Sequence, residues 1–191
     1  MFQARIHGRG GQGVVSAAEM LSVAAFLEGR HSQAFPSFGS ERMGAPVMAF
    51  CRIDDKEIRL REPVMKPDAL IIQDPTLLHQ VNLFQGLTER GCVVVNSSRD
   101  LADLGLDEFK RENPEGNVVT VPATELALEY VGRPLPNAAL LGGFSALSNL
   151  IKLESIEAAI QKKFPAKVAE ANIMAARAAA QAVKESGAVS C

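Results

Sequence analysis

Six residues near the N-terminus, Gly8-Arg9-Gly10-Gly11-Gln12-Gly13, stand between an apolar run, Phe2 to Ile6, and a stretch of helical character, Val14 to Glu28. A strand that turns through glycines into a helix is the opening unit of an α/β fold, and the N–H groups at such a turn converge on an anion at the helix N-terminus. A phosphate is the natural guest. The letters fit G-x-G-x-x-G, but a dinucleotide site also needs an acidic residue about 20 positions on, at the end of the second strand, to hold the ribose hydroxyls. The second strand is predicted over 30–35 and ends in Gln33, Ala34, Phe35 and Pro36, while Glu28 precedes it, at a helix end facing solvent. A nicotinamide dinucleotide is therefore disfavoured, and so is a P-loop, since no Lys-Ser or Lys-Thr follows Gly13. Taken alone, the glycines serve equally well for a tight turn with close helix–strand packing.

Downstream, short apolar runs alternate with helical stretches, the pattern of a mostly parallel sheet covered by helices. Strands are predicted at 2–7, 30–35, 69–73, 92–96 and 117–121, with helices over 13–28, 76–87 and 125–131. The rhythm breaks once, where Pro46 to Ile53 and Glu57 to Leu60 flank Asp54-Asp55-Lys56 as a hairpin signal. After Gly132 to Pro136 the chain reads as helical: Asn137 as cap of a segment running to about Leu150, then 155–164 and 167–185. The segment beginning at Asn137 is apolar nearly all round, so it belongs in a core or an interface. Its Gly142-Gly143 pair costs about 1 kcal/mol per glycine unless close backbone packing compensates. The expected fold is thus α/β: a Rossmann-like, mostly parallel (mixed) sheet flanked by helices, with a hairpin insertion and a helical C-terminal segment, in one domain over 1–191.

Composition excludes several functions. A net charge of −2 with both signs interspersed gives no footprint for nucleic acid or an anionic membrane surface. No apolar run approaches the roughly 20 residues of a membrane span, and the N-terminus enters a strand directly, so the expected location is cytoplasmic. Cys51, Cys92 and Cys191 lack ligand spacing, which argues against a disulfide framework and against a zinc or iron–sulfur site; Cys51 and Cys92 are expected as buried thiols. His7, His31 and His79 are dispersed, so no metal site is expected. His7, beside the glycine loop, either satisfies a local backbone group or reaches a ligand. With no nucleophile elbow and no paired carboxylates, no catalytic residue is assigned.

The glycine loop followed by Val14-Val15, the run Pro36-Ser37-Phe38-Gly39-Ser40-Glu41-Arg42-Met43-Gly44-Ala45-Pro46-Val47, Pro67-Asp68 and Asp74-Pro75-Thr76-Leu77 together resemble the gamma subunit of pyruvate:ferredoxin oxidoreductase. The likeness spans nearly the whole chain, including Asn137 to Phe144 and the final helix near Asn172. Within the 2-oxoacid:ferredoxin oxidoreductases, Glu41-Arg42 followed by Gly44-Ala45-Pro46 is similar to the pyruvate branch. The resemblance implies a division of labour: alpha and beta chains build the thiamine diphosphate and Mg2+ site, and a delta chain carries 4Fe–4S clusters. The whole complex converts a 2-oxoacid and coenzyme A (CoA) to acyl-CoA and CO2, passing electrons to ferredoxin. The gamma chain would cover the active site and help receive CoA. On that reading Gly8, Arg9, Gly10, Gly11, Gln12 and Gly13 meet the CoA phosphates, Arg42 adds positive charge, and Ser37, Phe38, Gly39 and Glu41 shape the rim. In the alternative reading of the second run, Glu41 and Arg42 form an interchain salt bridge and the prolines brace an interface loop. Alternatives for the whole are the same role with 2-oxoisovalerate, indolepyruvate or 2-oxoglutarate, or a stand-alone nucleotide-binding module.

Overall fold

The computed structural model describes residues 1–37, 43–114 and 116–188. β1 (Phe2–Arg9) leads through the glycines into α1 (Val14–Leu27), then β2 (His31–Pro36) and β3 (Pro46–Asp54) follow. β4 (Ala69–Ile72), β5 (Cys92–Asn96), α2 (Asp107–Glu112) and β6 (Asn117–Val121) continue, and the chain closes with α3 (Ala123–Val131), α4 (Asn137–Ser148), α5 (Leu153–Lys163) and α6 (Ala166–Glu185). The six strands lie in the order β2-β3-β1-β4-β5-β6. β1, β4, β5 and β6 pair in parallel, whereas β3 runs antiparallel to both its neighbours, β1 and β2. The sheet is mixed, as expected.

The position of β3 explains the missing ribose acid. In a dinucleotide fold the second strand lies beside the first and brings its end residue to the loop. Here β3 separates the two, which moves the end of β2 a full strand spacing, about 4.8 Å, further from the glycines.

One face of the sheet is closed by helices. Ala4, Ile6, Ala49, Cys51, Ile53, Ile71, Val94 and Val121 pack there with the buried sides of α1, α4, α5 and α6. α4 is buried almost all round, as its composition implies, and Leu140, Leu141 and Phe144 each contribute about 1.5–3 kcal/mol by burial. Gly142 is required: a Cβ there would stand 2.1 Å from the carbonyl oxygen of Ala176, so α4 and α6 touch backbone to backbone. The alanines of α6, including Ala175, Ala176 and Ala179, permit that approach.

Among the described residues the other face is covered over only half its width. Leu77, Leu83, Leu104 and Leu106 close on Leu70, Ile72, Val93 and Val95. Over β1 and β3 the register instead places Gln3 opposite Arg52, Arg5 opposite Phe50 and His7 opposite Met48, a strip rich in polar side chains outside both apolar clusters.

Several expectations are corrected. The antiparallel hairpin falls one strand earlier, between β2 and β3; Glu57 to Leu60 form no strand, and the Leu60 and Glu62 carbonyls accept from Arg52 instead. Residues 76–87 do not form an α-helix. Asp74 caps a 3-10 turn, Pro75–His79, and turns follow to Gly86, which has φ +77°. Asn137 is the first residue of α4 rather than its cap, a place taken by Pro136. Glu28 is tied down, its carboxylate accepting from the Lys152 amide at 2.7 Å. Cys51 is a buried free thiol whose pKa burial pushes up to about 12, but Cys92, also buried, is disulfide-bonded.

Candidate functional site

The carboxyl ends of the parallel strands meet at the glycine loop, the place where open α/β sheets take ligands. Within the loop the glycines differ in their work. A Cβ on Gly8 would lie 2.6 Å from Val14 Cγ2, so Gly8 serves the packing of β1 against α1. Gly11 and Gly13 have φ of +95° and +75°, the left-handed region that favours glycine. Gly13 is the N-cap of α1 and lies against the Asn137 side chain. The amides of Gly11 and Gly13 donate to no acceptor among the described residues, whereas Gly10 donates to Ala45 O at 2.9 Å and Gln12 to Arg9 O at 3.0 Å. A shallow cavity of about 340 Å3 lies in front of them, lined by Gly10, Gly11, Gly13, Val15, Ser16 and Val47 with Arg9, and by no carboxylate among the described residues.

The loop holds its shape through a residue the sequence reading placed in a motif but not in the site. Asp74, following β4, accepts at Oδ2 from Arg9 Nε (3.1 Å) and Gln12 Nε2 (2.9 Å). Its Oδ1 accepts from the Thr76 amide at 3.0 Å and the Thr76 hydroxyl at 2.5 Å. Burial pushes the Asp74 carboxyl up, but the hydrogen bonds from Thr76 and Gln12 and the Arg9 charge outweigh it and hold the group below the usual carboxylate range.

Arg9 and Gln12 are thereby turned inward. Arg9 donates also to Gly44 O at 3.0 Å, Thr76 Oγ1 at 2.7 Å and Gln80 Oε1 at 2.9 Å, and Gln12 Oε1 accepts from the Arg9 amide at 2.7 Å. Their side chains fix the loop, so its outward-facing donors are backbone amides. The second run is joined to the loop, since Gly44 donates to Gly10 O at 3.1 Å and Gly10 bridges Met43. Ser37 donates its amide to Met48 O at 2.8 Å and stands over the polar strip. Phe38, Gly39, Glu41 and Arg42 lie outside the described residues.

On the open face a second, larger cavity of about 680 Å3 is floored by Arg5 and His7 and walled by Met48, Phe50, Val64 and Leu77. Burial, with the Arg5 charge beside it, pushes the His7 imidazole down to about 4, so it is neutral at physiological pH. Sequence reasoning reached His7 but missed this cavity, because its walls come from segments far from β1 in the chain. Among the described residues no three His, Cys, Asp or Glu side chains gather as a metal site, and no helix is long and apolar enough to cross a membrane.

Comparison with known proteins agrees over nearly the whole length. The family model for pyruvate ferredoxin/flavodoxin oxidoreductase matches residues 3–182. Pyruvate synthase subunit PorC of Methanocaldococcus jannaschii is 46% identical over 179 residues, 94% of this chain and 95% of that one. The common gamma subunit of the pyruvate/ketoisovalerate oxidoreductases of Pyrococcus furiosus is 45% identical with the same coverage. Among solved structures, the pyruvate oxidoreductase subunit PORC of Thermotoga maritima superposes with a TM-score of 0.79 at 37% identity, covering 94% of this chain and 95% of that one. A 2-oxoglutarate:ferredoxin oxidoreductase of Magnetococcus marinus, solved with 2-oxoglutarate, coenzyme A and succinyl-CoA bound, shares the fold, with a TM-score of 0.70 at 19% identity over 96% of this chain and 31% of that one.

Proposed function

This chain belongs to the pyruvate ferredoxin/flavodoxin oxidoreductase family, as a gamma-type subunit of a 2-oxoacid:ferredoxin oxidoreductase, and within that enzyme we propose that it covers the active site and receives CoA. One observation carries the reading: Gly11 and Gly13, whose amides have no acceptor among the described residues, line a cavity that no described carboxylate lines. Such a surface suits a pyrophosphate or a 3′-phosphate. The Asp74 carboxylate beside the loop is engaged by Arg9 and Gln12, which limits its repulsion of an anion. The residues present therefore fit CoA, held by backbone amides with the Arg9 charge behind them.

The chain binds and orients; the chemistry belongs to its partners. Thiamine diphosphate with Mg2+ on the alpha and beta chains supplies the decarboxylation, and 4Fe–4S clusters on a delta chain carry electrons to ferredoxin. Pyruvate is the favoured 2-oxoacid, with 2-oxoisovalerate, indolepyruvate and 2-oxoglutarate as alternatives, and the complex works in the cytoplasm. The chain has no activity alone.

Ser16 lines the cavity in the first turn of α1. Ser16→Glu places a negative charge where the helix dipole favours it, so the fold keeps its stability, yet the same charge opposes a phosphate. In the reconstituted complex this variant is expected to raise the KM for CoA about tenfold, equivalent to about 1.4 kcal/mol, with an unchanged KM for the 2-oxoacid and an unchanged Tm. An unaltered CoA KM would sink the reading, as would full CoA-dependent activity of a complex assembled without this chain.

A further inference from the structure

We propose that the open half of the sheet, over β1 and β3, is a docking surface for another chain of the same oxidoreductase, whose docking segment is apolar and carries a carboxylate that reaches Arg5. The inference rests on the subunit reading above and specifies where, and with what chemistry, the assembly is made.

Three observations converge. The 680 Å3 cavity has apolar walls, Met48, Phe50, Val64 and Leu77 among them, and its rim keeps large apolar side chains in solvent: Met65 is 66% exposed and Val81 42% exposed. Leu60, further along the same face where its carbonyl accepts from Arg52, is 46% exposed. Apolar surface of this kind around a concavity marks a site of association, and methionine adapts to the shape of what it meets.

The floor of the cavity is only partly paired. Arg5 is only 7% exposed and donates through Nη2 to the carbonyls of Leu83 and Gln85 at 2.7 Å each, which leaves Nε and Nη1 without an acceptor among the described residues. The His7 side chain, 8% exposed, makes no hydrogen bond among them. Of these atoms Arg5 Nε and His7 Nε2 are buried as well as unpaired; buried polar atoms in that state cost free energy, and a docking polar group removes that cost.

The charge is one-sided. Among the described residues Arg5 is the lining cation, and no Asp or Glu lines the cavity to balance it. A guanidinium in an apolar, desolvated setting is best met by a carboxylate, which here takes a single charge-assisted hydrogen bond from a donor that Leu83 and Gln85 leave free. The apolar walls require that this carboxylate arrive on an otherwise hydrophobic segment. Depletion of charge at the centre, with Met and Arg present, is the composition of an interface core.

The test uses the full-length chain and separately purified alpha, beta and delta chains of its own complex, with affinity measured by biolayer interferometry. Met65→Glu combined with Val81→Glu is expected to weaken binding to one of those chains by at least about tenfold, the loss typical of central interface residues. Phe26→Glu is the control, at the end of α1 on the helix-covered side, where Phe26 is 70% exposed, and it is expected to bind as wild type. Wild-type affinity in the double variant, or an equal loss in Phe26→Glu, overturns the proposal. Hydrogen exchange on the wild-type chain answers independently of how the variants fold. Loops 62–66 and 80–85 are expected to gain protection in the complex, and unchanged exchange in both overturns the proposal. If the wild-type chain binds none of the three, the subunit reading itself fails, an outcome separate from a double variant that binds normally.

Discussion

The two faces of the sheet are built on opposite terms. On the helix side, small residues let backbones meet, and every position is settled by this chain alone: Gly142 touches Ala176, and Ala4 and Ile6 are fully buried. On the far side of β1 the alternate residues are Gln3, Arg5, His7 and Arg9, whose polar groups are satisfied by loops from elsewhere in the chain or left unsatisfied. The first face holds the fold together. The second keeps unmet hydrogen-bonding capacity, at a cost to the isolated subunit, and that capacity is available to something outside it.

The largest effect expected from this contrast is on the helix side. Gly142→Ala drives a methyl group into the Ala176 backbone and is expected to cost about 3 kcal/mol through overpacking. Calorimetry of the isolated chain measures it, and an unchanged Tm would break the picture of direct backbone contact.

On the open side the signature is pH. His7 has a folded-state pKa of about 4, below the unfolded value of about 6.5, so as pH falls the unfolded state takes up the proton first. Stability is therefore expected to fall from about pH 6.5 down to about pH 4, by on the order of 3 kcal/mol in all, and then to level. Urea unfolding across that range follows it, and His7→Gln is expected to flatten the curve. If His7→Gln keeps the slope, the imidazole is not held neutral.

At the edge joining the faces, Asp74→Asn is expected to cost about 2 kcal/mol, the value of hydrogen bonds to a charged acceptor. Because the folded pKa of Asp74 is depressed, its contribution is complete above the unfolded value near about 3.9 and is lost as pH falls through the folded value. That window lies below the one for His7, so acid titration separates the two. In the complex the same variant loosens Gln12 and Arg9 and is expected to raise the KM for CoA more than it lowers kcat.

The smallest effect belongs to the solvent side of the helices. Arg177 pairs with Glu157 at 2.6 Å but is largely exposed, so Arg177→Ala is expected to shift Tm by no more than replicate scatter. A clear loss would show that α5 and α6 depend on surface charge as well as on alanine packing.

Much of this architecture is written in local pattern. Ala69 to Ile72, Cys92 to Asn96 and Asn117 to Val121 are short apolar runs, buried on both faces or nearly so, and each is a strand where the sequence indicates one. What local pattern does not carry is the choice of neighbour. That β3 inserts between β2 and β1 depends on pairings such as Ala4 with Cys51, across 47 positions of chain. The leucines of 76–87 mislead for a related reason: Leu77 and Leu83 are buried against β4 and β5, so their spacing reports burial, while Pro75 and the positive φ of Gly86 bend the backbone into turns. In the site, the glycines are legible because they stand next to one another. Asp74 lies 65 residues from Arg9, and its part is visible only once β1 and β4 are side by side.

The Arg9 tie has a mechanical consequence. Thr76 and Gln80, which its guanidinium grips, belong to the turn that also presents Leu77 and Val81 to the open-face cavity. The glycine loop is therefore tied through Arg9 to one wall of the proposed docking face. A guest that shifts the loop shifts the wall, and a neighbour pressed against the wall loads the loop. Any free energy exchanged between the two occupants is by necessity the same in both directions, so tightening one association tightens or loosens the other by an equal factor.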